Sequence, residues 1–182
     1  YGDNRWYKSA YRQYLNSDQA AGAWWTPQDS WDMKPNQADT VPGFLAGFSD
    51  DFKNALTRVK VVTYGNNVTD DGSAVVTYDK IFLPSLQEIY CSPQASGEGT
   101  YWPYWKERTG AKTPQALYKI YPLRITRDLA QRTVGRHVRL RSAIRGGGYC
   151  AFSVSSSGYV GNWGAIGAIR CAPACEMTNL VK

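Results

Sequence analysis

Side chains able to do chemistry are few and scattered. The single histidine, His137, sits in an arginine-rich stretch with no nucleophile motif around it. Cysteines stand at 91, 150, 171 and 175, and Cys171 and Cys175 have a C-x3-C spacing with Pro173 between them. That spacing can bring two thiols to one metal ion, but a tetrahedral zinc site needs four ligands and the lone histidine leaves the set short. Four cysteines in 182 residues also do not resemble a disulfide framework, so buried free thiols or one local disulfide are expected. Glu98 and Glu107 flank aromatics in a stretch rich in Gly, Ser, Pro and Trp, and offer the type of carboxylate pair that hydrolyses sugars. Asp50 and Asp51 directly follow Ser49, where relief of exposed helix amides explains them better than acid–base work. No G-x-S-x-G, H-E-x-x-H or phosphate-cradling glycine loop occurs. The expectation is a protein that is not an enzyme and holds no metal or cofactor.

Binding fits the C-terminal third better. "RSAIRGGGYCAFSVSSSGYVGNWGAIGAIRCAPAC", residues 141–175, has no charge between Arg145 and Arg170 and is dominated by Gly, Ser, Ala and aromatics. Recognition loops favour such side chains, since Tyr gives contact area with few rotors while Gly and Ser adapt. A glycine-rich sheet edge that merely tolerates small residues has the same composition, and composition leaves both readings open. Just upstream, Lys106 to Arg145 carries eleven Lys or Arg against Glu107 and Asp128, a net +9 that leaves −3 for the rest of a +6 chain. Such a block can be a footprint for nucleic acid. Solvated charge, or arginines tying loops to backbone carbonyls, is the plainer explanation without a nucleic-acid motif. A structural virion protein is the remaining alternative.

The elements that must position these residues read as α+β. A length of 182 residues with 43% apolar content suits one domain with a full core and excludes general disorder. Apolar runs are too short to cross a bilayer, and no charged start followed by an apolar run marks a targeting signal. "KSAYRQYLNS" has Tyr7, Tyr11, Tyr14 and Leu15 at helical intervals. Ser49 begins a second helix with Phe52, Ala55, Leu56 and Val59 as its buried stripe. "RVKVVTY" and "AVVTY" predict strands of an irregular hairpin, "KIFLPS" a further strand, and Ser85 with Glu88 a capping box before a short helix containing Ile89. Cys91 to about Thr113 reads as a long ordered loop, a common place for function. "VRLRS", two strands in "YCAFSVSSSGYVGNW" and a closing "AIRCA" predict a small twisted antiparallel sheet near the C-terminus.

The ordered succession of "YRQYLNS", "GFSDDFKNAL", "DKIFLPSLQEIY" and "VRLRSA" through "IRCAPAC" resembles the variable proteins of diversity-generating retroelements. The resemblance implies a C-type lectin-like fold of the formylglycine-generating subtype, in a bacterial or phage protein at a virion or cell surface. It further implies a C-terminal stretch whose codons are randomised at adenines to form a ligand-binding face. Its ligand would be an unknown protein or glycan on a target cell. Neither nucleic-acid binding nor membrane insertion is implied. Randomised AAC-type codons never give Lys, Glu, Gln, Met or Trp, and residues 144–169 contain none of the first four; Trp163 is the one departure. The Glu-Pro-Asn and Trp-Asn-Asp signatures of calcium-type lectins are absent, and Asn162-Trp163-Gly164 does not replace them.

Within 144–169, alternation about a Ser-Ser-Gly turn points Phe152, Val154 and Val160 inward. Ala143, Ala151, Ala165 and Ala168 become small spacers. The ligand-binding positions are then Ile144, Gly146, Gly147, Gly148, Tyr149, Cys150, Ser153, Ser155, Tyr159, Gly161, Asn162, Trp163, Gly164, Ile166, Gly167 and Ile169. Strict alternation buries Cys150, so its place among them is open, as is that of Trp163.

Overall fold

Short helices form where the sequence caps them. A computed structural model describes residues 3–90, 92–104, 126–127, 135–155, 159–165 and 170–178, with the backbone alone at 126–127 and 135–136. Helix α1 (Ala10–Leu15) starts on Ser9, whose Oγ accepts from the Arg12 amide at 3.2 Å. Helix α2 (Asp50–Ala55) starts on Ser49 in the same way, with Asp50 and Asp51 in its first turn. The expected stripe of α2 is shorter than its sequence suggests. Leu56 leaves the helix in an extended conformation and pairs with Met177, so Leu56 and Val59 meet the core from strands. The capping box is present at α3 (Leu86–Tyr90): Ser85 N donates to Glu88 Oε2 at 2.9 Å, and Glu88 N to Ser85 Oγ at 3.1 Å.

The strands assemble across long sequence distances. β2 (Val59–Tyr64) and β3 (Ala74–Asp79) form the expected hairpin, registered from Val59 opposite Asp79 to Tyr64 opposite Ala74. β1 (Leu56–Thr57) and β4 (Ile81–Phe82) flank β11 (Ala174–Met177), which brings the end of the chain between two earlier segments. β5 (Thr126–Arg127) pairs with β6 (Gly135–Arg136). The C-terminal sheet has the order β10 (Arg170–Cys171), β7 (Val138–Ala143), β8 (Cys150–Val154), β9 (Val160–Gly164). It is mixed rather than purely antiparallel: β10 lies parallel to β7, with Arg170 opposite Val138. The chain is thus α+β, with short helices and several small sheets.

Two apolar clusters hold these pieces. One joins α1 to β1, β2 and β4 through Trp6, Leu15, Leu45, Leu56, Val61, Ile81, Phe82 and Leu83. The other packs α3 against the C-terminal sheet through Leu86, Ile89, Tyr90, Ala95, Leu140 and Val154, and Trp102 touches both. Burying each large aliphatic side chain stabilises by roughly 1.5–3 kcal/mol. Among the described residues no helix is long and apolar enough to cross a membrane.

Buried polar networks bind the same pieces in defined register. Arg5 is inside, paired with Asp3, with Asp29 Oδ2 at 2.6 Å and with Asp70 Oδ2 at 3.2 Å, so the chain start is locked onto the β2–β3 connection. Asp79 accepts from Trp6 Nε1 at 2.9 Å and Arg12 Nε at 2.8 Å. Arg141 makes a two-pronged pair with Glu88, at 2.6 and 2.7 Å, and also donates to the carbonyls of Leu83 and Glu98. Glu98 is buried too; it accepts from Ser142 Oγ and, at 3.1 Å, from Tyr64 N, and burial pushes its carboxyl up despite those donors. Glu98 therefore works as a structural acceptor, and Glu107 lies outside the described residues.

Candidate functional site

The connection from Ile144 to Cys150 is attached to the rest of the protein mainly by its own backbone. Ile144 N donates to Cys150 O at 3.1 Å and closes the β7–β8 connection. Asn4, buried at the chain start, donates from Nδ2 to Gly147 O at 2.7 Å and Cys150 O at 2.6 Å. Asn66 Nδ2 in turn donates to Asn4 Oδ1 at 2.8 Å and fixes which way that amide points. Gly146 N reaches both Asn66 O at 2.8 Å and Asn67 Oδ1 at 2.7 Å. Farther along, Ala165 N donates to Tyr149 O at 2.6 Å and the Arg139 guanidinium to Gly164 O at 2.7 Å. Side chains outside the connecting loop thus satisfy its main chain.

What remains for the segment's own side chains differs by position. Tyr149 is 74% exposed, Tyr159 50% and Trp163 44%, and Gly146 and Asn162 are exposed as well. Ile144, Gly147, Gly148, Cys150, Ser155, Gly161 and Gly164 are half-buried. A Cβ added at Gly164 meets nothing within 4 Å, and at Gly147 only the Ile144 side chain, so both accept other residues sterically. Gly146 and Gly148 do not fit the expectation of free substitution. Gly146 holds φ +80°, a conformation L side chains rarely adopt, and a Cβ on Gly148 comes within 3.3 Å of Thr69 Cγ2.

Ser153 is a correction: expected on the outer face, it is only 3% exposed. Its cross-strand partner is Arg139, whose guanidinium lies 5.2 Å over the Tyr11 ring, so that face of the sheet is covered by α1. Alternation placed Ser153 on the correct side, but the side is not open to solvent. Ser155 is half-buried and its Oγ accepts from Tyr159 N at 3.0 Å, which gives it a part in closing the β8–β9 connection. Val154 is buried as expected, with Phe152 and Val160 packed partly against the same cluster. Ile166, Gly167, Ile169 and the spacer Ala168 lie outside the described residues.

Four of the expected positions come together. Ile144, Tyr159, Gly161 and Asn162 line an open hollow of about 440 Å³, completed by Arg145, Phe152 and Val160 and by Pro93 and Gln94 from the 3-10 turn after α3. Arg145 stands 4.2 Å above the Tyr64 ring, which sets the height of its charge at the rim. Trp163 is not part of this group. It stands opposite Ala151, on the alternate face of β9 from its neighbour Asn162, and its ring lies 5.2 Å from that of His137. The expected positions are therefore divided, with four lining the hollow and Trp163 apart from it. Sequence reasoning missed Arg145, Pro93 and Gln94; the only signal for the last two was their place in the loop after Cys91.

Cys150, Cys171 and Cys175 are free thiols, and burial pushes the Cys171 thiol up, away from the reactive thiolate. Among the described residues no group of three or more His, Cys, Asp or Glu is placed to hold an ion.

These features define a small α+β protein with a pinned loop and a mixed polar–aromatic hollow. Residues 1–177 match a family described as a domain of unknown function, DUF6273, and the chain belongs to that family. No curated protein and no solved structure shows significant similarity to it.

Proposed function

We propose that this protein is a ligand-binding, receptor-recognition protein of the retroelement variable-protein type, with a diversified surface on a C-type lectin-like scaffold. It works as a binder and not as an enzyme, at a phage or bacterial surface. One observation carries the reading: the loop at 144–150 is held through its backbone by Asn4, Asn66 and Asn67, so side chains at positions such as 147 and 149 can change without loss of those bonds. A surface rewritten by selection needs that independence, because most substitutions elsewhere lower stability. The lectin-like scaffold rests on the ordered motifs, together with an α+β arrangement that accommodates them.

The nucleic-acid alternative loses ground on Arg139 and Arg141. Both belong to the basic block, yet both are buried and donate to backbone carbonyls. The test of the favoured reading is a library randomised at Gly147, Tyr149, Gly161, Asn162 and Gly164 and sorted for folded protein. Most members should fold, whereas a parallel library at Gly146 and Ser153 should not. DNA around the coding region should hold a near-copy of the terminal segment that differs at adenines, beside a reverse transcriptase. Widespread unfolding in the first library would remove the proposal.

A further inference from the structure

The hollow beside β9 has a chemistry of its own. Its floor is apolar, from Phe152 and Val160, which are also partly packed into the second cluster and so are fixed in place. Its rim is polar and supplied from two separate elements: Gln94 from the turn after α3, and Asn162 and Tyr159 from the β8–β9 side. Among the described residues that line it, Arg145 is the one cation, standing at the edge over Tyr64, and none is a carboxylate. Glu98, which feels the charge of Arg145, is buried and already accepts from Ser142 and Tyr64 N. The volume of about 440 Å³ falls in the roughly 300–1,000 Å³ range of small-ligand sites.

Resting on the binding reading above, we propose that this hollow takes an acidic sugar residue of a surface glycan, with the ring against Phe152 and Tyr159 and its carboxylate towards Arg145. Two side-chain amides and a phenol supply paired donors and acceptors that suit neighbouring hydroxyls. Aromatic faces suit the C–H side of a pyranose ring. A guanidinium is the side chain that pairs with a carboxylate through two parallel N–H bonds. A neutral sugar uses only the amides and rings; an acidic peptide side chain uses only the cation. The combination selects a ligand that carries both.

Titration of the full chain with methyl glucuronide, methyl glucoside and N-acetylglutamate, read by amide chemical shifts, tests the assignment. Glucuronide should perturb residues 144–145 and 159–162 and bind roughly tenfold tighter than glucoside, the worth of one charge-assisted hydrogen bond. Arg145→Gln should remove that preference with no more than the small fall in melting temperature that loss of the Tyr64 contact brings, Arg145→Lys should keep part of it, and Asn162→Ala should weaken both sugars. Equal binding of the two sugars overturns the role of Arg145. N-acetylglutamate binding as tightly as glucuronide overturns the sugar in favour of an acidic peptide, and absence of binding by all three overturns the site. Each of these failures would leave the substitution tolerance of the library unchanged, so the two proposals fall separately.

Discussion

All six residues of β7 are buried, whereas none of the six that follow, Ile144 to Tyr149, is buried. The strand is held by what its side chains do. Leu140 fills the second cluster, Arg141 pairs with Glu88, and Ser142 donates to Glu98 and accepts from Leu86 N. The loop is held by what its backbone does, through Asn4, Asn66 and Asn67. Adjacent residues therefore differ in how much their identity matters. A fold can keep one surface open to change by moving the bonding of that surface onto its main chain and placing the side chains that do the bonding elsewhere.

The strongest way to break the comparison is at Arg141. Replacing it with Ala leaves the Glu88 carboxylate buried without its partner, and strips donors from the carbonyls of Leu83 and Glu98. Loss of one member of a buried pair costs about 3–5 kcal/mol, which urea denaturation would read as a large fall in midpoint at unchanged slope. A loss under about 1 kcal/mol would mean that side chains do not hold the strand as described.

Asn4→Ala tests the loop from its supporting side. The change takes the side-chain donor from Gly147 O, one of two donors from Cys150 O and one of two acceptors from Asn66 Nδ2, at about 1–3 kcal/mol, although residue 4 is far from 144–150 in sequence. Amide exchange should quicken at 146–150 before it quickens in β7, since the two stretches would no longer open together. Ser153→Tyr sharpens the boundary of the replaceable surface. Composition alone makes Ser153 look like Ser or Gly at any recognition site, yet overpacking that covered face should cost about 1–3 kcal/mol. Thermal unfolding of this variant beside Asn162→Tyr would separate the two faces of the sheet.

How far such behaviour is legible in sequence depends on whether the cause is local. Ser9, Ser49 and the Ser85–Glu88 box mark helix starts because capping acts over three residues, and the alternation of β2 and β3 marks a hairpin for the same reason. Leu56 was misplaced in a helix because its partner, Met177, is at the other end of the chain. The parallel pairing of β10 with β7 is equally non-local. At the site, Ile144, Tyr159, Gly161 and Asn162 were expected within the stretch that the resemblance implies, and the structure gathers them. Ser153 and Trp163 failed to join them because alternation says which face a residue takes and not what lies over that face. Gln94 was marked only by its place in a long loop and Arg145 only by the basic block; their meeting in one hollow is non-local.

The smallest expected effect is also the most discriminating. Tyr149 is 74% exposed, and its carbonyl, not its ring, accepts from Ala165 N. Tyr149→Ser should therefore change stability by less than about 0.5 kcal/mol while removing a large apolar contact from the surface. An ordinary surface tyrosine that closes a packing gap would lose more, and its loss would spread to the exchange of β8. If melting is unchanged and the loop amides keep their protection, the backbone bonds alone maintain the loop, and whatever Tyr149 contributes is directed outward, to a partner.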